Sequence, residues 1–430
     1  MNKVSELTSL NDYCELIVDC PHSTPVWTDS GYIVIRNQNI KNGVLNLSSP
    51  SFTNETHFIE RTRRAKPRGG DLVFTREAPM GEICMVPNDL ECCVGQRQVL
   101  LRAKKTNDSA YLLYAFQTPF IRRQIDGHRA TGSTVSNFCI PDLKKLLIPR
   151  IPDEARVASV LSNIDAKISL NHRINSELEG MAKLLYDYWF VQHDFPISAA
   201  QAAALGKPHL TGKPYRSSGC PMTYNPQLKR EIPVGWEVGN LSELSHLNAN
   251  TWRDNDHPDK VSYVDLANAK NGEILSVQDY LWDEAPSRAR RKLTPGDTIF
   301  GTVRPGNRSF ALVPPSEFIL TGSTGFAVLT PKSDFYREFI YLTVTSESNI
   351  TRLTTVASGA AYPAVNPEVV IAQILPLAPT GIVEQFHDAV ASYFDLIATN
   401  RSQNQELAQL RDWLLPMLMN GQVKITECGA

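Results

Sequence analysis

No run of about 18 apolar residues occurs anywhere in this sequence, so no membrane-spanning helix is expected. The opening stretch, MNKVSELTSLNDY, lacks the apolar core of a secretory leader, and a cytoplasmic location is expected. Eight cysteines are present, at Cys14, Cys20, Cys84, Cys92, Cys93, Cys139, Cys220 and Cys428, without CxxC spacing or dense clustering. That spacing excludes a zinc ribbon and a disulfide scaffold and predicts reduced, mostly buried thiols. GxxxxGK[ST], HExxH, GxSxG and a glycine-rich dinucleotide fingerprint are all missing, so no catalytic residue, metal or bound cofactor is assigned to this chain. Acidic residues abound, but no pattern pairs them into a nuclease centre. Bulk charge is lacking too, at −2 from 43 basic and 45 acidic residues. Any nucleic-acid surface must therefore arise from local clusters. Residues 1–150 carry 19 Lys and Arg against 15 Asp and Glu, whereas residues 230–380 carry 13 against 17.

What the sequence does contain is an internal repeat. TRRAKPRGGDLVF (62–74) matches ARRKLTPGDTIF (289–300), with Gly70-Asp71 over Gly296-Asp297. At an offset of 227, VGQRQVLLR (94–102) lies over TGSTGFAVL (321–329), YLLYAF (111–116) over EFIYLT (338–343) and ATGS (130–133) over ASGA (357–360). LLIPRIP (146–152) lies over ILPLAP (374–379). Each match alone is weak; a nearly shared register over about ninety residues is specific.

A long helical pattern follows each of these exits. The first places Val157, Leu161, Ile164, Ile168, Leu178, Ala182, Leu185 and Trp189 on one stripe; the second does so with Val383, Phe386, Val390, Phe394, Ile397, Leu407, Leu410 and Leu414. Prolines are expected to close both, at Pro196 and Pro416. Asn171 and Asn175 match Asn400 and Asn404 at an offset of 229. They either face solvent or meet across two antiparallel helices, where seam asparagines would fix the register. About 40 helical residues span roughly 60 Å, a length suited to a spacer between two bodies.

The globular stretches alternate short β-branched and aromatic runs, such as GYIVIR (31–36), DLVFTR (71–76) and TIFGTV (298–303), with turns and helical patches. The fold class is thus α+β: two similar α+β domains separated by two long antiparallel α-helices in a pseudo-two-fold internal repeat. The expected divisions are 1–150 for the first domain, 151–195 for the first helix and 196–230 for a linker. Residues 231–379 form the second domain, 380–422 the second helix and 423–430 a tail.

Arg61, Arg63, Arg64 and Lys66 recur as Arg288, Arg290, Arg291 and Lys292. Such runs are commonly solvated loops, but their recurrence points to phosphate contacts, which set position rather than sequence. Arg76 and Arg304 follow matching strands, where arginine can reach base edges. Gln96 and Arg97 sit opposite Ser323 and Thr324, so side chains change while the frame is kept. Arg308 is a further contact candidate; Arg36, Asn37 and the loop HRATGST (128–134) carry lower weight. Trp189, Phe190, Trp413 and Leu414 either dock a partner or pack on the nearest domain.

LLYDYWFVQHDFP (184–196), MTYNPQLKREIPVGWEV (222–238) and the order domain–helix–domain–helix make the chain resemble the specificity subunit of type I restriction-modification systems. The resemblance implies two target-recognition domains that each read one half of a bipartite, asymmetric site on double-stranded DNA. The helices would act as a ruler between the halves. Expected partners are two modification subunits, which carry S-adenosylmethionine and methylate adenine, and restriction subunits that translocate and cleave. The first domain departs from the pattern in lacking an IPxGW-type opening. Two other classes compete: an enzyme that reads and acts on DNA, and a coiled-coil scaffold that binds only protein. The missing cofactor motifs oppose the first and the recurrent arginines the second.

Overall fold

The computed structural model describes residues 6–127, 137–359, 361–423 and 425. The loop 128–134, part of the matched pair at 130–133 and 357–360, and Cys428 lie outside the described residues. The chain divides into two compact units. One comprises residues up to Asn171 together with those from Gln403 onward, and the other is His172–Ser402. The division falls inside the two long helices, not at their junctions with the sheets.

In the first unit Leu72–Thr75 is buried throughout, because its sheet is covered on both faces. That sheet orders Cys14–Asp19, Gln98–Ala103, Leu72–Thr75 and Ile83–Met85, all antiparallel. Strand alternation sends Leu72, Phe74, Val99 and Leu101 towards the helices Ser109–Gln117 and Pro119–Gly127. Val73, Cys84 and Leu100 point the other way, onto Ile35 and Val94 of a second sheet. The second sheet orders Cys92–Val94, Tyr32–Ile35, Ser51–Thr53 and Trp27–Thr28, its first pair parallel.

The second unit repeats this plan. Ser245–Leu247, Phe326–Pro331, Thr298–Gly301 and Phe310–Leu312 form the doubly covered sheet. Phe300, Ala327 and Leu329 face its helix side, while Ile299, Phe326 and Val328 face Val264 and Leu320. The Gly-Asp turns coincide closely. Gly70 and Gly296 have φ of +84° and +88°, the left-handed region that glycine adopts freely. Gly70 N donates to Val86 O and Gly296 N to Val313 O, both at 2.9 Å. Asp71 and Asp297 are buried and accept from the backbone N of Arg68 and Thr294, at 2.9 and 2.8 Å.

Strand pairing refines the repeat by one residue. Leu72 opposes Leu101 as Thr298 opposes Leu329, so Gln98–Ala103 is related to Phe326–Pro331 by 228, not 227. Arg76 N donates to Arg97 O, and Thr302 N to Gly325 O, at 2.8 and 2.9 Å. Gln96 and Arg97 therefore correspond to Thr324 and Gly325, and Arg76 to Thr302 rather than Arg304. The short opening of the first unit is also seated: Glu6–Ser9 pairs with Leu147–Arg150 as Glu237–Gly239 pairs with Leu375–Leu377.

The long helices are Glu154–Tyr186, continued by a π-turn over Asp187–Val191, and Thr380–Met419. Pro416 lies inside the second helix instead of ending it. Within the first unit Asn171 Nδ2 donates to Asn404 Oδ1 and to Gln403 Oε1, each at 2.8 Å. Within the second, Asn400 Nδ2 donates to Asn175 Oδ1 at 2.8 Å. All four asparagines are buried, so they do not face solvent. Under the 229-residue repeat, each pair is the equivalent of the other.

Residues 196–230 are packed structure and not a bare linker. Ile197, Ala202, Tyr215 and Cys220 are buried in the second unit's core, and the preceding Phe195 stacks on Tyr215 and Trp236 at 4.7 and 5.4 Å. The thiols of Cys14, Cys84 and Cys92 are pushed up by burial to about 12, which leaves them protonated and inert. No helix among the described residues is long and apolar enough to cross a membrane, and none of their His, Cys, Asp and Glu side chains cluster as metal ligands.

Candidate nucleic-acid interface

The two arginine clusters occupy different local structures. In the first unit the run begins in the helix Glu55–Thr62. Arg61 is buried, and its guanidinium donates to the carbonyls of Val94, Ser23 and Pro21 at 3.0, 2.8 and 3.2 Å. It is a brace between helix and sheet, buried out of reach of phosphate. Arg63 and Arg64 project beyond the helix end and are exposed. Lys66 pairs with Glu91 at 2.5 Å and lies 5.3 Å from the Phe58 ring. Arg76 is likewise internal: it grips both oxygens of Asp19, at 2.8 and 2.7 Å, and donates to Phe138 O at 3.0 Å. Neither Arg61 nor Arg76 can contact DNA as their positions in the sequence suggest.

In the second unit the run forms an added sheet-edge strand, Ala289–Lys292. Alternation separates its cations. Arg290 sits 4.4 Å from the Trp282 ring and Lys292 4.6 Å from that of Trp252. Trp282 in turn stacks on His257 at 4.1 Å. Arg291 points the opposite way, and burial lowers its pKa. Its Nε has no partner among the described residues, and Nη1 reaches Thr251 only at 3.4 Å. Arg288 is exposed. The segments that feed these edges, 20–31 and 248–259, are equal in length but follow different paths. Trp27–Thr28 pairs with Ser51–Thr53, whereas Thr251 bridges to Arg291.

Backbone bonds join one row of loops in each unit. In the second, Thr324 N donates to Arg288 O at 2.8 Å, Thr302 N to Gly325 O at 2.9 Å and Arg304 N to Pro363 O at 2.7 Å. Arg288, Thr324, Arg304 and Tyr362 thus line one exposed rim. Arg308 is held by both oxygens of Glu347, at 2.7 and 2.5 Å. The corresponding rim of the first unit carries Gln96 and Arg97. Gln96 Nε2 donates to His22 O and Thr24 Oγ1 at 2.6 and 3.0 Å, and Arg97 lies 3.2 Å from Glu77. Asn37 joins this rim by donating to Glu77 O at 2.5 Å. Arg36 lies 4.9 Å from the Trp27 ring. The two rims share a frame and differ in side chains, the arrangement needed by two readers of different sequences.

Residues 6–180 match the family model for the type I restriction modification DNA specificity domain. The chain is 26% identical over 367 residues to the type I restriction enzyme MjaIX specificity subunit of Methanocaldococcus jannaschii, covering 83% of this chain and 78% of that protein. It is 22% identical over 401 residues to the HindI specificity subunit of Haemophilus influenzae, covering 82% and 86%. Over most of its length the chain is thus similar to type I restriction enzyme specificity subunits, and the specificity-domain match falls on residues 6–180. A crystal structure of the type I restriction-modification system S subunit from M. genitalium shares the fold of this chain, with TM-score 0.57 and 13% identity over 99% of this chain and 98% of that one.

The chain does not offer Trp189 and Phe190 to a partner. Both are buried in the second unit, with Trp189 5.7 Å from Phe386 and Phe190 4.7 Å from Phe339. Trp413 is 57% exposed and Leu414 half-buried. A different stripe emerges. Met181, Leu184, Tyr188 and Val191 are exposed at i, i+3, i+7 and i+10 on the first helix and its π-turn. At the 229 offset Met181 and Leu184 correspond to Leu410 and Trp413, which are exposed too.

Asn-Gly hairpins were also overlooked in the sequence. Lys41-Asn42-Gly43 and Lys270-Asn271-Gly272 lie 229 apart, with positive φ at each Asn and Gly, the signature of a type I′ turn. Repetition of that dipeptide at the helix offset was the available signal. In the second unit Arg401 ties this turn to the helices, donating to Gly272 O and Glu179, both at 2.7 Å.

Proposed function

We propose that this chain is such a specificity subunit, each unit of which reads one half of a bipartite, asymmetric site on double-stranded DNA. The carrying observation is the pair of equivalent rims, one with Gln96 and Arg97 and the other with Arg288, Thr324, Arg304 and Tyr362. Recognition is its whole task; S-adenosylmethionine and the methylation of adenine belong to two modification subunits, and DNA translocation and cleavage to restriction subunits. Arg63, Arg64, Arg288, Arg290 and Lys292 supply phosphate contacts that hold the frame.

Both long helices run through both units, which suits them to set the unread spacer between the halves. The repeated apolar stripes, Met181/Leu184/Tyr188 and Leu410/Trp413, are the proposed docking faces for the two modification subunits; their equivalence under the repeat supports two copies of one partner. A paired insertion tests the ruler. Seven residues added between Leu170 and Asn171, and seven opposite them between Asn404 and Gln405, lengthen the helix pair by about 10 Å, roughly three base pairs. Methylation mapped in a host with the cognate modification subunit is then expected to keep both half-sites and widen the spacer. Altered half-site bases with an unchanged spacer would refute the ruler.

A further inference from the structure

We infer that Arg304, carried on the ring of Tyr362, reads one guanine of the second unit's half-site, and that Tyr362 is its positioning residue; this rests on the half-site reading above. Arg304 and Arg308 are the only non-glycine residues between 272 and 359 with positive φ, at +49° and +58°. They flank the short turn Pro305–Asn307. L side chains adopt that region at a cost, so the surrounding bonds must enforce it.

Those bonds are visible. Arg304 N donates to Pro363 O at 2.7 Å, and Nη2 to Ala361 O at 2.8 Å. The partner loop is closed by reciprocal bonds between Ser358 and Ala364, at 3.0 and 2.9 Å. The guanidinium lies over the Tyr362 ring, 4.8 Å from its centroid, while Tyr362 is 71% exposed. A tyrosine this exposed covers no core. Its ring serves as a platform that restrains the arginine before DNA arrives.

Only one of the five guanidinium donors is taken up by the Ala361 carbonyl. Among the described residues the rest of the planar fork meets no acceptor and is free to meet O6 and N7 of guanine, the bidentate pairing a lysine ammonium cannot copy. The cations of the recurrent basic run and Arg308 are less suited. Arg308 is latched to Glu347, Arg290 and Lys292 lie against indole rings, and Arg291 is half-buried. Arg288 is exposed without an aromatic support, which suits phosphate.

The test uses the full chain with its cognate modification subunits. Methylation maps are compared for the unaltered chain, Arg304→Lys and Tyr362→Ala, and the purified complexes are titrated with duplexes carrying single base-pair changes. Arg304→Lys is expected to make one G·C position of one half-site degenerate, with discrimination there falling about tenfold or more. The other half-site and the spacer stay as they were. Tyr362→Ala is expected to relax the same position. A motif unchanged at every position in both variants would overturn the assignment. So would an even loss of affinity across all duplexes from Tyr362→Ala with Arg304→Lys silent, which would make the tyrosine a wedge between base pairs. If the unaltered chain directs no bipartite motif, the half-site reading itself fails.

Discussion

Arg61, Arg63 and Arg64 stand within four positions of one another, yet burial assigns them different work. Replacing Arg61 with alanine leaves three carbonyls without a donor and is expected to cost about 3 kcal/mol of stability, measured by thermal or urea unfolding. Replacing Arg63 and Arg64 together is expected to leave stability nearly unchanged and to reduce the salt dependence of DNA binding, by up to about two in slope if each meets a phosphate. An unchanged slope would remove them from the interface. His193 adds a pH dependence. It is 1% exposed against Trp236, and burial, with Arg230 and Arg216 adding to it, lowers its pKa from 6.5 to about 4. The native state therefore holds it neutral, while the unfolded chain takes up a proton below about 6.5. Its contribution is full above that pH and is lost as pH falls towards 4. His193→Phe is expected to flatten this part of the unfolding profile; an identical profile would show that other groups set it.

The elements follow from the sequence wherever periodicity governs. Leu72–Thr75 and Thr298–Gly301 are apolar runs because helices cover one face and a second sheet the other, and the long helices are legible from their stripes. Neither the fate of an arginine nor the path of a connecting segment is. Arg76 becomes internal only because Asp19, distant in the chain, meets it. The basic run 288–292 becomes a strand because segment 248–259 turns to its edge, whereas the equal-length 20–31 turns elsewhere. Trp189 and Phe190 are drawn inward by Phe339, Phe386 and Trp236, contacts that no local pattern encodes. The asparagine pairs make a prediction at this scale. Asn171→Leu alone removes the donor to the buried Asn404 Oδ1, and is expected to destabilise by about 1–3 kcal/mol. Asn171→Leu with Asn404→Leu is expected to recover that loss and to relax the register of the helix pair. A double variant no more stable than the single would argue against a paired seam.

At the scale of the whole molecule, the repeat carries the account. Two units that share one plan and differ at a sheet edge, related through helix positions 229 apart, present rims with different side chains and apolar stripes at equivalent sites. Equivalence suits two copies of one partner; difference suits two unlike half-sites. The measurement that tests this most directly is the methylation map of a host carrying the cognate modification subunit, with and without this chain. The account predicts a bipartite methylated-adenine motif, asymmetric in its halves, that appears only when the chain is present. With the modification subunit folded and bound to the chain, the absence of any new motif would contradict the account.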